Sequence, residues 1–248
     1  MKPWQRFFRS FEVLENLLPR GSRLPLRYQA QKLLAALEPE MALLPDLCSR
    51  ERAAVDIGAN KGIYSYALAQ LSSHVYSFEP LRECCDYISH YGHERISVHN
   101  VALSDVDDSL KIYIPVDGWR TVYTRASLVP VAGKHELRHV PVRRLDDFDL
   151  RGIGFIKIDV EGHELFVLRG ARGHLMRDTP DLLVEIDLHS HVEFGYLEVF
   201  NYLYELGYES YILLDKVLIK ARGRELELGK TSINFVFQFE ARPDEGNL

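Results

Sequence analysis

Residues Ala53 to Ser65 read A-A-V-D-I-G-A-N-K-G-I-Y-S, and the fold turns on them. The apolar run Ala53 to Ile57 carries one acid, Asp56, and ends in a loop holding Gly58, Asn60 and Gly62. A helical pattern over 63–71 follows at once. This order predicts a buried parallel strand, a tight turn, and a helix whose N-terminus faces the carboxyl end of the strand. Glycines in such a turn let the backbone approach a ligand, and the free N–H groups of the helix start add a polar surface. The spacing is G-x-x-x-G rather than G-x-G-x-x-G, which counts against a dinucleotide fingerprint and against a dehydrogenase. An acid at the strand end suits a cationic group, such as an amine, better than a pyrophosphate.

Downstream, residues 74–80 (H-V-Y-S-F-E-P) form a short β-rich run ending in Glu79, about twenty residues past the glycine turn. In a doubly wound sheet an acid there reaches the crevice, where its two acceptor oxygens suit the vicinal hydroxyls of a ribose. A helix over 81–90 leads to a third strand at 96–100. The polar residues after that strand, in the run Asn100 to Asp105, fall where an adenine edge would lie. Residues 110–115 and 140–144 read as an inserted β-hairpin around a long loop, 116–139, with Trp119, Arg120, Tyr123 and Arg125; loops of that length are usually functional or mobile. A fourth strand ends at Asp159 and is followed by Val160-Glu161-Gly162-His163-Glu164. One helix is expected over 165–176, a fifth strand over 182–186, a helix over 197–206, and strands at 211–214 and 233–239, the last forming an antiparallel edge pair.

Upstream, two helices are expected before the core, one with Trp4, Phe7, Phe8, Phe11, Leu14 and Leu18 at helical spacing and a second over 26–37, separated by Pro19-Arg20-Gly21. Residues 1–52 are thus a helical extension and 53–248 the main domain. Net charge is −6, but residues 1–32 carry seven Lys/Arg and two acids, a balance of +5, so the remainder sums to −11. An acidic body argues against a nucleic-acid track. The basic N-terminal face is expected to pack on the domain or on a second copy in a homodimer; the alternative is contact with a membrane surface. Hydrophobic content is 46% and charged content 27%, ordinary for a globular chain. Three cysteines without a C-x-x-C fit reduced thiols in a cytoplasmic protein, which the N-terminal helix could associate with a membrane. No apolar run reaches the ~18 residues of a membrane span, and Glu12, Glu15 and Asn16 interrupt any signal-peptide core.

Three stretches together, V-D-I-G-A-N-K-G-I-Y-S, F-E-P and F-I-K-I-D-V-E-G-H-E-L-F-V-L-R-G-A, resemble the FkbM-type S-adenosylmethionine-dependent methyltransferases, over residues 53–186. The resemblance implies an α/β, Rossmann-like class I fold: a seven-stranded, mostly parallel sheet with a reversed last strand. It also implies methyl transfer to a hydroxyl, often on a sugar or other small molecule. On that pattern Asp56, Gly58, Asn60 and Gly62 belong to the loop at the methionine end of the cofactor, Glu79 to the ribose, Asn100, Ala102 and Ser104 to the adenine border, and Asp159 to the sulfonium.

Methyl transfer is an in-line displacement that needs aligned reactants and a base for the acceptor's proton. Asp159, Glu161, His163 and His189 stand at or near strand ends, with His163 the first expectation for the base. Each also has a plain alternative: Glu161 and Glu164 can complement a helix start, and the histidines can be loop residues. A metal set from Asp159, Glu185, Asp187, His189 and His191 has no fixed ligand spacing, so no metal is expected. The competing functions are an RNA or protein methyltransferase, and a silent S-adenosylmethionine-binding module acting by association.

Overall fold

The computed structural model of the protein describes residue 15 and residues 17–117, 120–121, 123, 126–130, 133–187, 195–222 and 232–240. In chain order, α1 (Arg20–Leu33) and a short α2 (Leu44–Leu47) precede β1 (Ala53–Ile57), α3 (Ile63–Leu68), β2 (Val75–Phe78), α4 (Arg82–Ser89) and β3 (Ile96–His99). An insertion follows, made of β4 (Ala102–Leu103), β5 (Asp108–Asp117), β6 (Arg120–Thr121) and β7 (His135–Arg143). The second half contains β8 (Ile153–Ile158), α5 (Glu164–Gly170), α6 (Arg172–Asp178), β9 (Asp181–Asp187), α7 (Leu197–Glu205), β10 (Tyr208–Leu214), β11 (Val217–Lys220) and β12 (Ser232–Phe239).

Eight strands make one mixed sheet in the order β11–β10–β12–β9–β8–β1–β2–β3. The central five, β3, β2, β1, β8 and β9, are parallel, and β12 runs antiparallel to both its neighbours. Every residue of β1 and β8 is buried, as expected for central strands covered on both faces. On one face Val55, Ile57, Ile156 and Ile158 pack beneath α5 and α7 through Leu165, Leu168, Phe200 and Leu203. On the other, Ala54, Phe155, Leu183 and Val236 pack against Tyr64 and Leu68 of α3 and against Met41, Leu44 and Leu47. Residues 39–47 therefore share one hydrophobic cluster with the sheet.

Several expectations are corrected. The sheet has eight strands, not seven, because β11 folds back on β10 and adds an edge strand. The reversed strand β12 does not lie at the edge; it is inserted between β9 and β10. The helix expected over 165–176 is two helices. Gly170 lies so close to Ser104 that a Cβ there would sit 1.9 Å from the Ser104 carbonyl oxygen, and Ala171 (φ −107°, ψ 5°) leaves the helical path. The helix expected over 26–37 begins six residues earlier, with Pro19 as its extended N-cap rather than as a break between helices. The inserted hairpin is longer than its apolar core indicated and belongs to a four-stranded sheet, β4–β7–β5–β6. Most of the first expected helix, including Trp4 to Leu14, lies outside the described residues, as do Trp119 and Arg125.

Candidate active site

The carboxyl ends of β1, β2 and β8 meet in a crevice, and the backbone there is tightly interlocked. Gly58 and Ala59 both donate their N–H to the Phe78 carbonyl, at 3.0 and 3.1 Å, and Asp159 donates its own to Ile57 at 3.0 Å. Gly58 has φ +77°, and a Cβ there would stand 1.8 Å from the Asp159 carbonyl oxygen. Glycine is required at this position both by conformation and by the approach of β8. Asn60, also left-handed at φ +48°, turns its backbone N–H onto Glu79 Oε2 at 2.8 Å. Leu81 N–H donates to Glu79 Oε1 at 2.9 Å. The glycine turn thus grips the acid that the sequence placed about twenty residues away.

Glu79 is only 5% exposed, and burial pushes its carboxyl up to about 7 despite the bonds from Leu81 and Asn60. Each of its oxygens keeps acceptor capacity beyond those bonds. Beside it the crevice wall is apolar, with Val101, Ala102, Leu103, Ile112 and Leu128. The insertion supplies Ala102, Leu103, Ile112 and Leu128. The arrangement is a slot that sets apolar side chains beside a two-oxygen acceptor, which suits a base and the diol of a nucleoside.

On the other side of Gly58 and Asn60 lies a polar cavity of about 350 Å³. Ser77, Asp56 and Lys157 stand in register on adjacent strands, β2, β1 and β8, exposed by 0, 2 and 1%. Ser65 of α3 donates to Asp56 Oδ2 at 2.5 Å and lies 2.8 Å from Ser77 Oγ. Burial raises the Asp56 carboxyl to about 6, against the Ser65 bond and the Lys157 charge. Lys157 Nζ lies 3.7 Å from Asp159 Oδ2 and 5.1 Å from the Tyr64 ring centroid. Burial works against its charge, but Asp159, Glu38, Glu185 and Asp56 outweigh burial and raise its pKa. Glu38 enters from the N-terminal extension: its Oε2 accepts from Tyr64 Oη at 2.6 Å and from Asn234 Nδ2 at 3.1 Å.

The expected site residues separate into groups. Gly58, Asn60, Asp159 and Glu161 border both the apolar slot and the polar cavity, and Glu161 is left-handed at φ +52°. Glu79 and Ala102 line the slot, and Asp56 lines the cavity. Asn100 acts at one remove, its Nδ2 donating to the Glu79 and Pro80 carbonyls at 3.0 and 2.9 Å. Gly62 caps α3 and faces Ile88, whose Cγ1 would be 2.7 Å from an added Cβ; its role is packing.

Ser104 and His163 are not brought to the crevice. They bond each other, Ser104 Oγ to His163 Nε2, at 2.8 Å, with the imidazole stacked on Phe166. Burial lowers the His163 pKa to about 4. The imidazole expected to act as base thus stands outside the crevice, which Asp159 and Glu161 border. His189 and His191 lie outside the described residues, and no cluster of three metal-ligating side chains occurs among the described ones. Lys157 and Glu38 were not among the expected site residues. A lysine inside the apolar strand F-I-K-I-D was a signal for the first; the sequence held none for the second.

A doubly wound sheet with a reversed strand beside its fifth, an acid gripping the second strand end, and a mixed-charge cavity at the first define the class: an S-adenosylmethionine-binding methyltransferase core. The donor set fits that cofactor, a nucleoside with a cationic, amine-bearing tail: Glu79 for the diol, and Asp56 and Asp159 for the positive groups. The methyltransferase FkbM domain model matches residues 56–210, and the chain belongs to that family of S-adenosylmethionine-dependent methyltransferases. Its fold is similar to that of a methyltransferase FkbM from Methylobacillus flagellatus KT, at 19% identity and TM-score 0.50, over 94% of this chain and 59% of that one. This chain therefore spans less than two thirds of that protein's length. It is also similar to a Streptococcus mutans protein solved in complex with SAH, at 10% identity and TM-score 0.50, over 80% of this chain and 94% of that one. No curated protein matches the chain.

Proposed function

We propose that this protein transfers the methyl group of S-adenosylmethionine to a hydroxyl of a sugar, glycan or other small molecule. The observation that carries this reading is the meeting of two unlike compartments at Asp159 and Glu161, an apolar slot ending in Glu79 and a polar cavity ending in Lys157. When bound, S-adenosylmethionine supplies an electrophilic methyl carbon on a sulfonium. Glu79 would hold the ribose hydroxyls, Asp56 and the Gly58–Asn60 turn would hold the methionine end, and Ala102 would border the base.

Asp159 is the residue we assign to the acceptor's proton. It borders both compartments, and the Lys157 ammonium lies 3.7 Å from its Oδ2. Asp159 Oδ would take the proton of the acceptor hydroxyl as that oxygen receives the methyl group the bound cofactor would supply. A positioned base of this kind contributes roughly 10²–10⁴-fold to rate. The acidic body weighs against an RNA acceptor.

The test is incubation of the full chain with methyl-labelled S-adenosylmethionine and separate pools of oligosaccharide, glycolipid, RNA and protein. Label in a carbohydrate methyl ether supports the reading. Label confined to RNA or protein overturns it.

A further inference from the structure

Part of the lining of the polar cavity comes from the N-terminal extension. Residues 36–38 and Met41 line it together with Lys157 and Glu185. Lys157 Nζ carries three donors. Among the described residues its one acceptor within hydrogen-bond range is the Ile158 carbonyl at 3.5 Å, with Asp159 at 3.7 Å. This ammonium is 1% exposed and borders an open cavity with most of its donor capacity unfilled. Glu38, which lines the same cavity, spends Oε2 on Tyr64 and Asn234, while Oε1 has no hydrogen bond among the described residues. A buried donor and a hydrogen-bonded acceptor lining one cavity match a ligand carrying several hydroxyls.

The charge of the walls selects further. Five carboxylates, Glu38, Asp56, Asp159, Glu161 and Glu185, border the cavity against three basic side chains, and one of those, Arg27, is held by Glu15 at 3.0 and 2.5 Å. The methionine tail of the cofactor is a zwitterion and leaves the net negative charge of the walls unchanged, so a further phosphate or carboxylate brought in by the acceptor meets net repulsion at short range and reduced screening. The volume of about 350 Å³ lies in the range of small-ligand pockets.

We propose that this cavity is the acceptor site, that Glu38 and Lys157 determine its specificity, and that the acceptor is a polyol bearing no phosphate or carboxylate, either neutral or amine-bearing. The proposal rests on the methyltransferase reading and assigns a function to the N-terminal extension, which forms one wall of the site.

The experiment uses the full chain saturated with S-adenosylhomocysteine. Saturation-transfer NMR is recorded with maltotriose, glucosamine trisaccharide and UDP-glucose, followed by labelled-methyl kinetics on the same three. Binding and label uptake are expected for one or both trisaccharides and not for UDP-glucose. Glu38→Gln and Lys157→Met should each raise the acceptor KM by about 10- to 100-fold, the loss of one hydrogen bond involving a charged group, with S-adenosylhomocysteine affinity within threefold of wild type. UDP-glucose as the preferred acceptor, no binding of either trisaccharide, or variants with unchanged acceptor KM overturn the proposal. Variants that instead weaken S-adenosylhomocysteine tenfold or more also overturn it, by assigning the cavity to the cofactor's tail. Wild-type protein that binds no S-adenosylhomocysteine defeats the methyltransferase reading itself and this site with it.

Discussion

Replacing Glu79 by glutamine tests the nucleoside end of the crevice through pH as well as affinity. In the free protein the carboxyl titrates at about 7 against an ordinary 4.5, chiefly because it is buried. That rise corresponds to about 3 kcal/mol held against the ionised form. A ribose diol donates to the ionised carboxylate, so the cofactor binds the deprotonated protein and releases a proton below neutral pH. Affinity for S-adenosylhomocysteine should be highest near pH 8 and fall as pH drops through 7. At about pH 5.5 roughly 3% of Glu79 is ionised, a loss of about 30-fold if only that form binds. Glu79→Gln should bind about 1.5–3 kcal/mol more weakly at pH 8, the range for a hydrogen bond to a charged group. Most of the pH dependence should vanish with it, leaving the slope due to Asp56, which titrates near 6. Stability gives a second reading. The contribution of a group with a raised folded-state pKa is fully present below 4.5 and is lost as pH rises through about 7. Glu79→Gln should therefore be more stable than wild type at pH 8, by up to about 3 kcal/mol less one acceptor bond, and the gap should close below pH 4.5. Calorimetry in two buffers of different ionisation heat measures both affinity and proton release. Wild-type affinity that is flat from pH 5.5 to 8 would refute the assignment of Glu79 to the ribose.

Three further outcomes are expected. Asp159→Asn should lower turnover by about 10²–10⁴-fold and weaken S-adenosylmethionine more than the uncharged S-adenosylhomocysteine; equal weakening of the two removes Asp159 from the sulfonium. Gly58→Ala should fail to fold or melt well below wild type in thermal denaturation, since a left-handed backbone alone costs roughly 1–2 kcal/mol and the added Cβ meets the Asp159 carbonyl; an unchanged melting temperature contradicts the packing of β8 on the turn. His163→Ala should lose about 2–4 kcal/mol in urea unfolding, through a cavity and the lost Ser104–His163 hydrogen bond, yet keep turnover within tenfold once folded. A folded variant with turnover down a hundredfold would return the base to His163.

The strands that build the crevice were legible because their burial is written in composition. Ala53 to Ile57 and Ile153 to Ile158 are short, β-rich and buried on both faces. Gly58 and Glu79 were legible because a turn needing φ above zero and an acid closing a strand both leave a mark at fixed spacing. His163 was misplaced because sequence gives distance from a strand end but not direction. It follows β8 by five residues, yet Glu161 and Gly162, both at positive φ, turn the chain before it, and its ring points to Ser104. The break at Ala171 depends on a backbone contact between Gly170 and Ser104 that no local pattern encodes. Glu38 was invisible for a similar reason, since its partners Tyr64 and Asn234 are 26 and 196 residues away. Lys157 left a trace in its strand, but its significance depends on Asp56 across the β1–β8 pair and on Tyr64 above it.

A crystal structure of the full chain with S-adenosylhomocysteine tests the central claim most directly. The account predicts both ribose hydroxyls within hydrogen-bond distance of the Glu79 oxygens, the base against Ala102, and the sulfur facing Asp159 at the mouth of the polar cavity. Nucleoside density seated elsewhere, or a ribose turned away from Glu79 with the Asp159 side empty, would contradict it.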